Sequence, residues 1–179
     1  PTLGYPVSDK GTAFGIGAQI GIFYNSGMGI KLGASYKSPQ AFSSFDFENT
    51  YLDGSKAPKV KFKMNYPAII SLGIGYSKNK IDVALDYRFV NYKNTAGFKD
   101  KGWTNTASVA GFGWKNISIV SAGIQYKGIN KFPLRVGYTY SSNPISSELA
   151  FFSTPATAVI KNAFQFGFGY EFNSRFNLN

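Results

Sequence analysis

The stretch AFQFGFGYEF, Ala163 to Phe172, puts an aromatic ring at every second position: Phe164, Phe166, Phe168, Tyr170 and Phe172. Gln165, Gly167, Gly169 and Glu171 fall between them. A period of two sustained this long predicts a β-strand with two unlike faces. Burying one Phe side chain contributes about 1.5–3 kcal/mol, so a stripe of rings demands an apolar medium. The opposite face is glycine and small polar residues, unlike a water-facing surface, where roughly 25–35% of residues are charged.

The same alternation recurs along the 179 residues. A first strand is expected over Thr12–Tyr24, with Phe14, Ile16, Ala18, Ile20, Ile22 and Tyr24 on one face and Gly15, Gly17, Gln19, Gly21 and Phe23 on the other. A second, Gly29–Lys37, sets Ile30, Leu32, Ala34 and Tyr36 against Lys31, Gly33, Ser35 and Lys37. The third, Lys61–Tyr76, runs from Phe62 to Tyr76 in one parity, with Pro67 on the opposite face predicting a break or bulge. The fourth, Lys80–Val90, sets Ile81, Val83, Leu85, Tyr87 and Phe89 against Asp82, Ala84, Asp86 and Arg88. A fifth near Lys115–Lys127 and a sixth over Phe132–Ser141 precede the stretch quoted above, and an eighth is expected from Arg175 to Asn179.

The connections alternate as well. NSGMG, SKN and KGINK are reverse turns of the kind hairpins use. Long segments near 38–60, 91–114 and 142–160 separate the hairpins. Short turns at one end and long loops at the other are the plan of an outer-membrane β-barrel, and loops this long are uncommon in compact domains. A soluble barrel enclosing a greasy ligand would share the alternation. The charge-free glycine face of the first strand, and the absence of Lys, Arg, Asp and Glu from the apolar faces of all but the fifth strand, favour lipid outside. Tyr24, Tyr36, Tyr76, Tyr126 and Tyr170 lie near strand ends, where interfacial aromatic girdles form. The expected fold is all-β, an antiparallel up-and-down transmembrane barrel.

Composition excludes other classes. There is no Cys and no His, which removes thiolate chemistry, the commonest metal ligand and the commonest general base. Asp82 and Asp86 share a strand face about 13 Å apart, too far for a glycosidase pair. GIGAQIG starts like a glycine-rich nucleotide loop but stays in strand alternation. No enzyme, metal or cofactor is expected. The net charge is +10, yet the cations (Lys56, Lys59, Lys61, Lys78, Lys80, Lys99, Lys101) are scattered over turns and loops without a basic block. That pattern speaks against nucleic acid and fits either a solvated loop surface or attraction to anionic lipid. The chain opens at Pro1 with no visible signal peptide, so a processed chain or an excised piece is expected, a single barrel segment over 1–179 that is incomplete at both ends.

Four stretches carry a family resemblance: GIGAQIGIFYNSGMGIKLGASYKSP (15–39), MNYPAIISLGIGYSKNKIDVALDYRFVNYKN (64–94), GWKNISIVSAGIQYKGINKFPLRVGYTYSSNPI (113–145) and the region from Pro155 to Phe172. In order and spacing they resemble the FadL/TodX outer-membrane transporters of long-chain fatty acids and other hydrophobic compounds. The resemblance implies a barrel of roughly fourteen strands, of which about seven to eight stand here, an even number being needed to close such a barrel. It also implies a hatch segment that this chain lacks, and passive transport from the outer side through the lumen and sideways into the bilayer of a Gram-negative bacterium. Implied partners are outer-membrane lipid, lipopolysaccharide and hydrophobic small molecules such as fatty acids. A transporter-like barrel serving as a protein-binding subunit of a secretion or surface-assembly complex, through its loops, is the alternative.

Two sets of residues are candidates for contact with ligand. Lumen-facing polar positions are Gln19, Lys31, Asp82, Asp86, Arg88, Arg135, Gln165 and Glu171, with Lys37 in the same parity. The arginines could meet a carboxylate head group or simply pair with Asp82, Asp86 or Glu171. Apolar loop positions are Phe42, Phe45, Phe47, Trp103, Phe112, Trp114, Leu149, Phe151 and Phe152, either a binding surface or loop-on-loop packing.

Overall fold

A computed structural model describes residues 6–104, 109–151, 153–154, 159–172 and 176–178. Its centre is one antiparallel sheet of seven strands: β1 (Gln19–Asn25), β2 (Ile30–Lys37), β3 (Ile69–Lys78), β4 (Ile81–Val90), β5 (Ile117–Tyr126), β6 (Leu134–Ser141) and β7 (Asn162–Phe168). Each strand pairs with its neighbour in sequence, so the sheet is a continuous meander with β1 and β7 at its open edges.

The register carries the two faces across every strand. Tyr24 pairs with Leu32, Leu32 with Ile74, Ile74 with Leu85, Leu85 with Ala122, Ala122 with Tyr138 and Tyr138 with Phe164. One row further, Phe23, Gly33, Gly73, Asp86, Ser121, Thr139 and Ala163 pair in turn on the opposite face. Side chains alternate strictly, so one correct pair per ladder places the whole apolar set on one side.

That apolar face is not a core. Phe164 is 73% and Phe166 80% exposed, and among the described residues only Ala57, Val90 and Leu149 are buried hydrophobics. Strands β3, β4 and β5 are each 10 residues long. At about 3.3 Å per residue and a tilt near 40°, such a strand rises about 25 Å, the height of a barrel's apolar band. The greasy surface is therefore matched to hydrocarbon outside the sheet. Among the described residues no helix is long and apolar enough to cross a membrane.

Turns and breaks follow local chemistry. The β3–β4 loop is the two residues Asn79 and Lys80, with Asn79 at φ 54°, the left-handed backbone that such tight turns require. Gly29, at φ 95°, closes the β1–β2 turn, and a Cβ there would meet the Ser77 carbonyl oxygen at 2.1 Å.

Several expected boundaries shift, that of the stretch Ala163–Phe172 among them: β7 stops at Phe168, and Tyr170–Glu171 forms a separate short strand outside the seven-stranded sheet. The third strand divides at buried Pro67: Lys56–Phe62 forms a separate hairpin with Phe45–Thr50, and β3 starts at Ile69. Proline has no N–H for the ladder, so the single strand expected from Lys61 to Tyr76 does not form. At its other end β3 runs on to Lys78, bringing a lysine onto the apolar face beyond Tyr76. The first strand likewise divides, Gly15–Ile16 pairing with Ala41–Phe42 rather than continuing into β1. The last expected strand is represented by Asn177–Leu178, paired with Tyr170–Glu171.

Candidate functional site

On the glycine face the candidate polar side chains sit in two groups. Near the short turns, the Lys127 ammonium lies 2.8 Å from the Asp82 carboxylate. Gln125 Nε2 donates to Asp82 at 3.4 Å, and Arg135 Nε donates to Gln125 Oε1 at 2.6 Å. Lys31 Nζ donates to Ser77 Oγ at 3.4 Å. Asp82 thus takes a lysine that the sequence reading had not assigned to it, and Arg135 reaches it through a glutamine. The cause is register: Asp82, Gln125 and Arg135 lie on one cross-strand row, and Lys127 follows just past the end of β5.

Towards the loop end the same face opens a recess of about 550 Å³ lined by Gly33, Gly73, Ser71, Asp86, Arg88 and Ser121. Gly33 and Gly73 pair directly across β2 and β3, so the wall carries no side chain at that point. Among the described residues Arg88 makes no ion pair with Asp86 or any other carboxylate. Gln165 donates to Thr139 Oγ1 at 3.3 Å, and Gln19 pairs with Lys37 at the edge strand. Glu171 lies beyond the end of β7, its N–H donating to the Lys131 carbonyl at 2.9 Å.

The long connections fold on one another. Tyr92, Phe98, Phe112 and Trp114 form an aromatic cluster, with ring centroids 4.7 Å apart for Tyr92–Phe98 and 5.1 Å for both Tyr92–Trp114 and Phe98–Trp114. Edge-on and tilted rings at such spacings are the favoured aromatic geometry. Trp114 Nε1 donates to Ser153 Oγ at 3.1 Å, and Ser153 is fully buried. Leu149 closes the side, near enough to Gly113 that a Cβ there would stand 2.8 Å from its Cδ1. Burial holds the Tyr92 phenol above its ordinary pKa, with Tyr66 adding to the effect, so it stays neutral. Beside it, Lys37 Nζ sits 4.5 Å from the Tyr66 ring centroid, within cation–π range.

The candidate loop residues therefore divide. Phe112, Trp114 and Leu149 belong to the cluster between the second and third long connections. Phe45 and Phe47 stack at 6.4 Å on the apolar side of the outer hairpin, where Phe47 faces Gly11 and Phe42 faces Gly15. The other side of that hairpin is charged, with Lys59 bound to Glu48 and Lys61 3.7 Å from Asp46. The Lys59 hydrogen bond holds the Glu48 carboxyl below the usual range. Trp103 and Phe151 are exposed, and Phe152 lies outside the described residues. Tyr92, Phe98 and the Lys37–Tyr66 pair escaped the sequence reading. The signal for the first two was present in NYKNTAGF, whose rings bracket the same loop as Trp114.

The sequence matches, over residues 7–179, the family described as "Outer membrane protein transport protein (OMPP1/FadL/TodX)". Among solved structures, the Pseudomonas putida toluene transporter TodX is 20% identical with a TM-score of 0.55, covering 90% of this chain and 41% of its own. The Ralstonia pickettii toluene transporter TbuX is 20% identical, TM-score 0.58, covering 90% of this chain and 40% of its own. The CymD monoaromatic hydrocarbon channel is 17% identical, TM-score 0.57, covering 89% and 43%. The chain thus spans about two-fifths of the length of these structures. No curated protein sequence matches it significantly.

Proposed function

This chain belongs to the OMPP1/FadL/TodX family of outer-membrane transport proteins, and we propose that it forms part of a channel carrying long-chain fatty acids or similar hydrophobic compounds across the outer membrane by passive diffusion. The observation that carries the reading is the two-faced sheet. Each strand sets a mostly apolar row on one face, the other face is rich in glycine and polar groups with a few apolar side chains such as Phe23 and Ile119 among them, and the long connections carry a cluster of aromatic rings. A ligand arriving from outside would meet aromatic surface first and a smooth, side-chain-poor wall next. The reading assigns no enzymatic step.

Arg88 is the proposed contact for a carboxylate head group. It lines the glycine-walled recess, and its guanidinium is not consumed by an ion pair among the described residues. Lys31, Gln19, Gln165 and Arg135 would line the remaining path, while the exposed loop aromatics Trp103 and Phe151 would meet incoming ligand or the lipopolysaccharide layer.

The test uses the full-length protein in cells lacking their own uptake route, supplied with labelled oleate or labelled toluene. Wild type should take up oleate, and Arg88→Gln should lower oleate uptake about ten- to a hundredfold, the loss of one charged hydrogen bond, while leaving toluene uptake unaltered. Equal loss of both would assign Arg88 to barrel structure. No uptake of either compound by well-folded protein would favour the protein-binding subunit.

A further inference from the structure

The lipid-facing wall carries a second recess, of about 370 Å³, at the short-turn end, lined by Tyr76, Lys78, Asn79, Lys80, Ile81, Val83 and Tyr126. Its chemistry differs from the rest of that wall. Val83 and Ile81 form an apolar floor across from Tyr76 and Lys78, with which they pair. Tyr126 pairs with Ile81 on the other side. The Tyr126 hydroxyl reaches over Gly128, where a Cβ would come within 1.9 Å, so its polar end points towards the turn. Two lysines, two tyrosines and an apolar floor therefore line one depression at the short-turn end of the sheet.

No carboxylate lines it. Asp82, the nearest acid in sequence, points to the opposite face and is occupied by Lys127. Among the described residues neither Lys78 nor Lys80 forms an ion pair. Lys80 is held in place by the two-residue turn with Asn79 in left-handed backbone, and its carbonyl accepts from the Lys127 N–H at 2.7 Å. A lysine on an otherwise charge-free lipid face, as Lys78 is, is costly unless it meets the headgroup layer, and Lys80 in the adjoining turn adds a second cation that attracts anionic headgroups.

We propose that this recess is a binding site for an anionic glycerophospholipid of the periplasmic leaflet, with the headgroup phosphate between Lys78, Lys80 and the two tyrosine hydroxyls and an acyl chain along Ile81 and Val83. Short turns face the periplasm in such barrels, which selects phospholipid rather than lipopolysaccharide as the occupant. The site stands apart from whatever the channel carries.

Full-length protein in nonionic detergent, mixed with equal amounts of phosphatidylglycerol and phosphatidylethanolamine, reports the site by native mass spectrometry. Wild type should retain phosphatidylglycerol about tenfold over phosphatidylethanolamine, as two interfacial lysines predict. K78Q/K80Q should bring the ratio near one, whereas K78R/K80R and the loop-end control K59Q/K61Q should keep it. Should the double variant not fold, K78Q and K80Q singly should each lower the ratio about threefold. A wild-type ratio near one, a preference that survives K78Q/K80Q, or an equal loss in K59Q/K61Q would each overturn the proposal.

Discussion

Gly29 shows how much a single position can specify. Its φ of 95° and the 2.1 Å approach of the Ser77 carbonyl to a would-be Cβ leave no room for any other residue. Gly27 has φ 72° but open space around it, so its substitution costs only the backbone preference. Gly29→Ala should therefore destabilise the folded barrel by about 2–3 kcal/mol and Gly27→Ala by about 1 kcal/mol. Urea titration of full-length protein in lipid vesicles measures both; equal effects would mean that the β1–β2 turn yields to the clash. Lys78 is the converse case. Nothing in its local sequence forbids the turn beginning at Ser77, and only its pairing with Ile81 puts it on the lipid side.

At the scale of elements, strand faces and loop packing make separate predictions. Ile74 lies mid-strand on the apolar face of β3, between Leu32 and Leu85. Ile74→Lys should cost about 2–4 kcal/mol in vesicles. Ser71→Lys, on the glycine face of the same strand, should cost less than about 1 kcal/mol. The same urea titration separates them, and a reversed order would mean that the two faces have been exchanged. In the loops, Trp114 touches Tyr92, Phe98 and Phe112 and donates to buried Ser153. Trp114→Phe should cost about 1 kcal/mol, for the lost hydrogen bond. Trp114→Ala should cost about 3 kcal/mol, because it also empties the centre of the cluster. The readout is the rate of proteolysis in 91–114 and 142–154 on intact cells, which should rise in that order. Unchanged rates would show that the loops are held by something other than these rings.

The whole molecule is a sheet with unequal ends, and its orientation is testable without knowing the ligand. Lys56 and Lys101 belong to the long connections, whereas Lys80 and Lys131 sit at the short turns. Trypsin added to intact cells should cut full-length protein near the first pair only. Cutting at the second should require a permeabilised outer membrane. The opposite pattern would invert the barrel and place the proposed phospholipid site in the wrong leaflet. Seven strands with two open edges also leave unpaired backbone at β1 and β7, which hydrocarbon does not tolerate.

The faces were legible in the sequence because strand alternation is local: Ile70, Leu72, Ile74 and Tyr76 share a side whatever they pair with, and their common greasiness already named the solvent. The one-sided long connections were legible for the same reason. Pairing was not, since it depends on residues far apart in the chain. Which cation meets Asp82, that Tyr92 and Phe98 join Phe112 and Trp114, and that Lys78 and Lys80 meet Tyr126 in one recess were decided only when register brought separate strands and loops together. Alternation assigns a side chain to a face, but only cross-strand register assigns it a neighbour.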